Sequence, residues 1–269
     1  MPVITISRGS YSGGKALGEC LARRLGYRVI DRETIIGDAS SCGASEDKLR
    51  HAIVDPPGFR DHFSEEKRRY MTLFQACLTE EARKDNLIYV GNAGHLLLRG
   101  VSHVVRVRII APMSYRLAAV QESQHLDHEE ARAYIEQVDH ARAKWTRFLY
   151  GVDYGDPALY DLVINLERAT VEDACATVAA MANEPTFQTT VESSEAMEDL
   201  ALATRVRAAL IVHPQTSALL LDVEARRGTV KLLGKVRDSQ QRAAVEELAR
   251  GVPGVERLVL DDLVQVLDR

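Results

Sequence analysis

The chain has 269 residues, enough for one large domain or two smaller ones. With 46% apolar and 27% charged residues it has the make-up of a folded globular protein, which excludes wholesale disorder, collagen-like repetition and a low-complexity scaffold. The 34 Lys and Arg against 39 Asp and Glu leave a net charge of -5 and no bulk positive field, which argues against a nucleic-acid partner. Cys20, Cys42, Cys77 and Cys175 stand far apart with no CxxC pair, the pattern of reduced, buried thiols rather than of a disulfide framework or a zinc site. No run of about 18 apolar residues occurs and the N-terminus has no basic leader, so the expectation is a cytoplasmic chain without a transmembrane segment.

Residues Val3 to Ser7 form a short β-branched run, followed by R-G-S-Y-S-G-G-K and a helical pattern placing Leu17, Cys20, Leu21 and Leu25 on one face. That order is strand, glycine-rich turn, helix. Further strands are expected at Arg28 to Ile30, Leu87 to Val90, His103 to Ile110 and Leu162 to Asn165. Helices are expected at Glu65 to Lys84, Pro112 to Ser123, His128 to Tyr150 and Val171 to Ala182. Alternation of this kind predicts an α/β fold in which helices cover a parallel sheet. Residues 184–196 are polar and acidic without a sustained apolar period, which predicts a linker after a domain of residues 1–183. A fragment ending near Asn183 is then expected to fold by itself. Residues 197–269 read as a helix (Glu198 to Val212), a hairpin turning at Arg227 and Gly228, a helix (Ser239 to Arg250) and a last strand (Val255 to Val266).

Gly9 to Lys15 spells G-S-Y-S-G-G-K, which satisfies GxxxxGK in the strand-to-helix context that pattern requires. Glycines let the backbone wrap around phosphate oxygens, and the amides of the helix start supply partial positive charge. On this reading Gly9, Ser10, Ser12, Gly13, Gly14, Lys15 and Ala16 hold a nucleotide phosphate, with Lys15 reaching the outer phosphates. Position 16 is alanine, where a Ser or Thr hydroxyl ordinarily helps to hold Mg²⁺.

Taken together, I-T-I-S-R-G-S-Y-S-G-G-K, G-Y-R-V-I-D-R-E, L-I-Y-V-G-N-A-G-H-L-L-L-R-G and F-L-Y-G-V-D-Y-G-D-P-A-L-Y-D-L-V-I-N resemble the cytidylate kinase-like family of P-loop nucleoside monophosphate kinases. The resemblance spans Val3 to about Ala182. It implies a P-loop NTPase five-stranded parallel sheet flanked by helices, an acceptor-binding region after the second strand and a basic lid before the last one. It also implies transfer of the ATP γ-phosphoryl to CMP or a related nucleotide, with ATP and Mg²⁺ as cofactors.

Carried over by position, Asp139 and Arg142 match the lid pattern D-x-x-R and join Lys15 as the implied catalytic groups. Arg8, Asp31, Asn92 and Arg147 fall on the implied acceptor side. Asp31 has an alternative role as the N-cap of the helix that follows it, and the charges of Asp139 to Arg147 an alternative as a solvated helix face. Trp145, Phe148 and Tyr150 offer either base stacking or core packing. Val90 stands where related kinases carry an acid, and Asn92 where the family usually has arginine. These departures, with Ala16, raise a second function: a nucleotide-binding regulatory protein with weakened turnover.

The C-terminal segment resembles the BON domain in S-A-L-L-L-D-V-E-A-R-R-G-T-V-K-L-L-G-K-V-R-D and V-P-G-V-E-R-L-V-L-D-D-L. This implies a small α+β domain over residues 197–269 that attaches to a protein or, less in keeping with its neutral charge, to phospholipid. Homodimerisation is a further expectation.

Overall fold

Val3–Arg8 (β1) is β-branched and closed to solvent on both faces, the condition of a central strand in a sheet with helices on either side. It pairs in parallel with Leu87–Val90 (β3) through Ile4 opposite Ile88, and with Val104–Ile110 (β4) through Ile4 opposite Val105. Arg28–Asp31 (β2) and Leu162–Asn165 (β5) complete a five-stranded sheet ordered β2-β3-β1-β4-β5, parallel in every described pairing. The computed structural model describes residues 2–41 and 65–266. Cys42, and most of the acceptor region expected after β2, lie outside them.

Helix α1 (Gly14–Leu25) buries Leu17, Gly18 and Leu21 against the sheet and stops at Gly26, whose φ of 72° suits glycine. Gly18 has a packing reason: a Cβ there would stand 2.6 Å from Val90 Cγ2. Val90 therefore fills the strand end with a methyl group in contact with α1. Arg32–Ser41 (α2), Gly94–Leu97 (α4), Met113–Gln124 (α5), His128–Tyr150 (α6) and Val171–Asn183 (α7) follow the remaining strands, with Glu65–Ala82 (α3) before β3. Capping boxes at Asp127 with Glu130 and at Thr170 with Asp173 fix the starts of α6 and α7.

The thiols depart from expectation. Cys20 on α1 and Cys175 on α7 form a disulfide with their Cα atoms 6.1 Å apart, joining positions 155 residues apart in sequence. No spacing in the chain announces this pair, because it is made by two helices packing in the same core.

The described residues fall into two compact units, the first holding residues 2–35 and 84–190, the second 36–41, 65–83 and 191–266. Residues 184–196 differ from the expected linker. Pro185–Phe187 makes a 3-10 turn, and Val191–Val212 (α8) begins seven residues before the expected start at Glu198, burying Ser193 and Met197. Inside the second unit α3 packs along α8, with Tyr70, Leu73, Phe74 and Leu78 buried. Ion pairs of Arg83 with Glu198 at 3.1 Å and of Arg205 with Glu80 at 3.1 Å accompany that contact. A helix that lies early in the chain thus completes the C-terminal unit.

The hairpin of Leu221–Arg226 (β6) and Thr229–Val236 (β7) turns at Arg227 and Gly228, both at positive φ. The expected last strand is two short ones, Arg257–Val259 (β8) and Leu263–Gln265 (β9), each parallel to β7, with Ser239–Arg250 (α9) before them. The break falls opposite Leu232 and Leu233, just before Gly234, whose φ is 142° and whose amide donates to the Asp262 carbonyl. No described helix is long and apolar enough to cross a membrane.

Removing α8 strips the apolar face of α3. A fragment ending at Asn183 is therefore expected to aggregate on gel filtration, where the full chain elutes as a folded species. A soluble fragment with a cooperative melt would show that α3 does not need α8.

Candidate nucleotide site

The strand order places the C-terminal ends of β1, β3 and β4 side by side, where ligands bind in open α/β sheets. From the end of β1 the chain runs through Gly9 to Gly13 into α1. Ser12 fixes the curve, its hydroxyl donating to the carbonyls of Gly9 (3.0 Å) and Ile109 (3.1 Å). Gly13 turns at φ 80°, and a Cβ there would meet Leu166 Cδ1 at 2.6 Å. Both the dihedral and the space exclude a side chain.

Above the loop lies a cavity of about 540 Å³ whose charged lining consists of Arg8, Lys15, Arg142 and Glu19, beside Gly13, Gly14, Ala16 and the rings of Tyr11, Tyr115 and Tyr134. Lys15 is exposed, and no described residue accepts a bond from its ammonium. Three cations against one exposed carboxylate suit an anion.

Asp139 ties loop to helix. Its Oδ1 accepts the Ser10 amide at 3.0 Å and the Ser10 hydroxyl at 2.9 Å, while Oδ2 accepts from Arg116 Nη2. Arg116 also donates to the Ser10 carbonyl at 2.7 Å. Arg142, one helical turn beyond Asp139, donates to the Arg8 carbonyl (3.3 Å) and to Ser10 Oγ (3.2 Å). The Tyr154 hydroxyl reaches the same Arg8 carbonyl. Burial, with Arg8 and Arg32 adding like charge, holds the Arg142 guanidinium below its usual range despite Asp139.

Asp31 acts as a cap. It accepts the Thr34 amide at 2.9 Å and hydroxyl at 3.0 Å. Burial raises its pKa, but the bonds from Thr34 and Glu33 and the charge of Arg8 outweigh that and leave the carboxyl below its ordinary value. Asn92 follows β3 with a buried Oδ1 that finds no partner among the described residues, and it does not line the cavity. Arg147 also lies outside the cavity lining, exposed and paired with Asp153 at 3.3 Å. Trp145 is buried, edge-on to Phe148, so core packing describes it better than base stacking.

Sequence reasoning missed Arg116, the tyrosines and a buried cluster beside β4. Arg108 donates to the Tyr154 carbonyl at 2.6 Å and lies 4.0 Å from the Tyr154 ring centre. His95 is 4% exposed, with Nδ1 3.1 Å from Ser7 Oγ and its ring against Tyr160. A faint signal existed for Arg116 alone, a cation in the first turn of the helix that follows β4.

Magnesium, which the resemblance of the sequence implies, lacks its usual protein donors here. Ala16 offers no hydroxyl and Val90 no carboxylate, the Ser12 hydroxyl is engaged with carbonyls, and Asp139 is engaged by Ser10 and Arg116, which leaves the exposed Glu19 as the carboxylate in the cavity lining. Among the described residues no cluster of three or more His, Cys, Asp or Glu could hold a metal ion.

The fold is a five-stranded parallel sheet flanked by helices, with a glycine-rich loop leading from β1 into α1. The chain belongs to the cytidylate kinase-like family, whose model matches residues 3–168, and a BON domain matches residues 198–266. It is similar to the cytidylate kinase of Staphylothermus marinus, 28% identical over 176 residues, which cover 64% of this chain and 91% of that one. The cytidylate kinase of Methanoregula boonei is 27% identical over 66% of this chain and 92% of its own. A crystal structure of an uncharacterised protein from Eubacterium ventriosum shares the fold at TM-score 0.53 and 16% identity, covering 68% of this chain and 99% of that one.

Burial first, then the charges of Arg106 and Arg108, push His95 down from 6.5 to about 4, against the pull of Asp161. A base whose folded pKa is depressed costs no stability above its unfolded value and destabilises the fold as pH falls below it. Between pH 6.5 and pH 4 this group is expected to remove on the order of 3 kcal/mol of stability. Denaturant melts of wild type and His95→Asn across that window should differ in slope, with the variant flatter. Equal slopes would place the acid sensitivity elsewhere.

Proposed function

We propose that the chain transfers the γ-phosphoryl of ATP to a nucleoside monophosphate, with CMP the first candidate because the relatives it resembles are named cytidylate kinases. The observation that carries this reading is the exposed Lys15 on a glycine loop, facing a cavity shared with Arg8 and Arg142. An oxygen of the acceptor phosphate attacks the γ-phosphorus, one P–O bond forms, and the bond to the β-phosphate oxygen breaks to release ADP. Loop amides and Lys15 hold the donor phosphates, and Arg142 stabilises charge spreading over the transferred group. Asp139 is a positioning residue in this scheme. It holds Ser10, and with it the loop, at a fixed distance from α6.

A second reading keeps the binding and drops the turnover, leaving a regulatory protein that signals through its BON domain to a protein partner. Ala16 and Val90 favour it, since they leave Mg²⁺ without its usual protein ligands. In either case we propose a cytoplasmic nucleotide pool as the source of the ligand.

Purified full-length protein with ATP, Mg²⁺ and a panel of nucleoside monophosphates should form ADP, fastest with a pyrimidine acceptor. Arg142→Ala is expected to lower that turnover about a hundredfold, whereas Lys144→Ala, on the exposed side of α6, should change it by less than about threefold. Equal losses in the two variants would reduce α6 to diffuse charge. ATP binding without ADP formation would select the regulatory reading.

A further inference from the structure

The cation cluster beside the loop is larger than one P-loop lysine requires, and its extra member comes from β1. Arg8 is the last residue of that strand. Its chain lies across the first turn of α1: a Cβ on Gly14 would overlap Arg8 Cδ and stand 3.1 Å from Arg8 Cβ. Gly14 thus leaves room for an arginine over the first turn of α1. The Arg8 backbone is pinned from two sides, its carbonyl accepting from Arg142 Nη1 and from the Tyr154 hydroxyl.

The guanidinium itself is uncommitted. No described residue accepts a hydrogen bond from it, although it is partly buried and lines the same cavity as Lys15 and Ala16. Its charged surroundings are mixed. Asp31 attracts it and Arg32 repels it, while Arg142 feels its repulsion in turn. Burial penalises a cation without a counter-ion, so an anion entering the cavity gains from both the charge and the open donor set.

This deepens the reading of the site as a nucleotide pocket, and it rests on that reading. We propose that the Arg8 guanidinium takes over phosphate neutralisation that a divalent ion performs in other P-loop kinases, so that ATP binds this chain without Mg²⁺. A guanidinium presents a planar fork to two phosphate oxygens at once and carries its charge covalently, so it needs no hydroxyl at position 16 and no carboxylate at position 90. Both are missing here, and both would be expected if the ion were held by protein. The proposal concerns the binding of the polyphosphate and makes no claim on the transfer step.

Calorimetric titration of ATP into the full chain, once with excess Mg²⁺ and once with excess EDTA, tests it. The two dissociation constants should agree within about threefold. In EDTA, Arg8→Met, which keeps an unbranched chain over Gly14, should weaken binding about tenfold or more, and Arg8→Lys should recover part of the loss. Circular dichroism confirms that each variant is folded, and the wild-type comparison stands even if Arg8→Met does not fold. Wild-type affinity that collapses only in EDTA overturns this inference and leaves nucleotide binding intact, as does an Arg8→Met protein that binds in EDTA like wild type. Absence of binding in both buffers removes the nucleotide reading and this inference together.

Discussion

The Asp139 carboxylate is the joint on which the phosphate loop depends. It gathers the amide and hydroxyl of Ser10 from the loop and the guanidinium of Arg116 from α5 onto one side chain of α6. The loop and two consecutive helices that follow it more than a hundred residues later are thereby fixed by charge-assisted bonds, which are stronger than neutral ones and more exacting in geometry. Removing the carboxylate would leave Arg116 and Arg142 beside the loop with their nearest counter-charge gone, a costly arrangement for groups that are 12% and 17% exposed.

The same constraint explains how the chain tolerates so much like charge in one place. Arg116 is satisfied by Asp139 and the Ser10 carbonyl, and Arg142 by the Arg8 carbonyl and Ser10 Oγ. Lys15 and the Arg8 guanidinium have no such acceptor among the described residues. Arg116 and the bonds of Arg142 hold the frame, while Lys15 and Arg8 bring open donors to the cavity that Arg142 also lines. That division of labour is what an anion site needs: a rigid cradle and a small set of donors still open to ligand. Val90 belongs to the frame as well, its methyl group close against Gly18 where an acid would face a helix backbone.

Much of the fold was legible because its signals are local. The β-branched β1, the glycine loop and the apolar stripe of α1 declare a strand, turn and helix within twenty-odd residues, and the GxxxxGK spacing marks the loop as the candidate phosphate end. The resemblance to the cytidylate kinase-like family then supplied the five-strand count of the parallel sheet, whereas the last strand expected in the BON segment is two. What stayed hidden is non-local. Nothing in the text of α3 says that its partner is α8, more than a hundred residues away, because an apolar stripe does not name what covers it. The pairing of Cys20 with Cys175 is concealed for the same reason. Asp139 and Arg142 could be read as a lid pattern, yet their engagement with Ser10 is a matter of tertiary distance. Asp31 illustrates the reverse case: its capping role was an alternative that local sequence offered, and the bonds to Thr34 realise it.

The central claim is that the loop and its open cations form a polyphosphate site, and Lys15 is the group that tests it most directly, being exposed and without structural partners among the described residues. The decisive measurement is the ATP dissociation constant of Lys15→Ala beside that of wild type, with melting curves taken on both. The account predicts a loss of about 1.5 to 3 kcal/mol in binding with an unchanged melt, the range for a charge-assisted contact. Undiminished ATP affinity in a folded Lys15→Ala protein would contradict it.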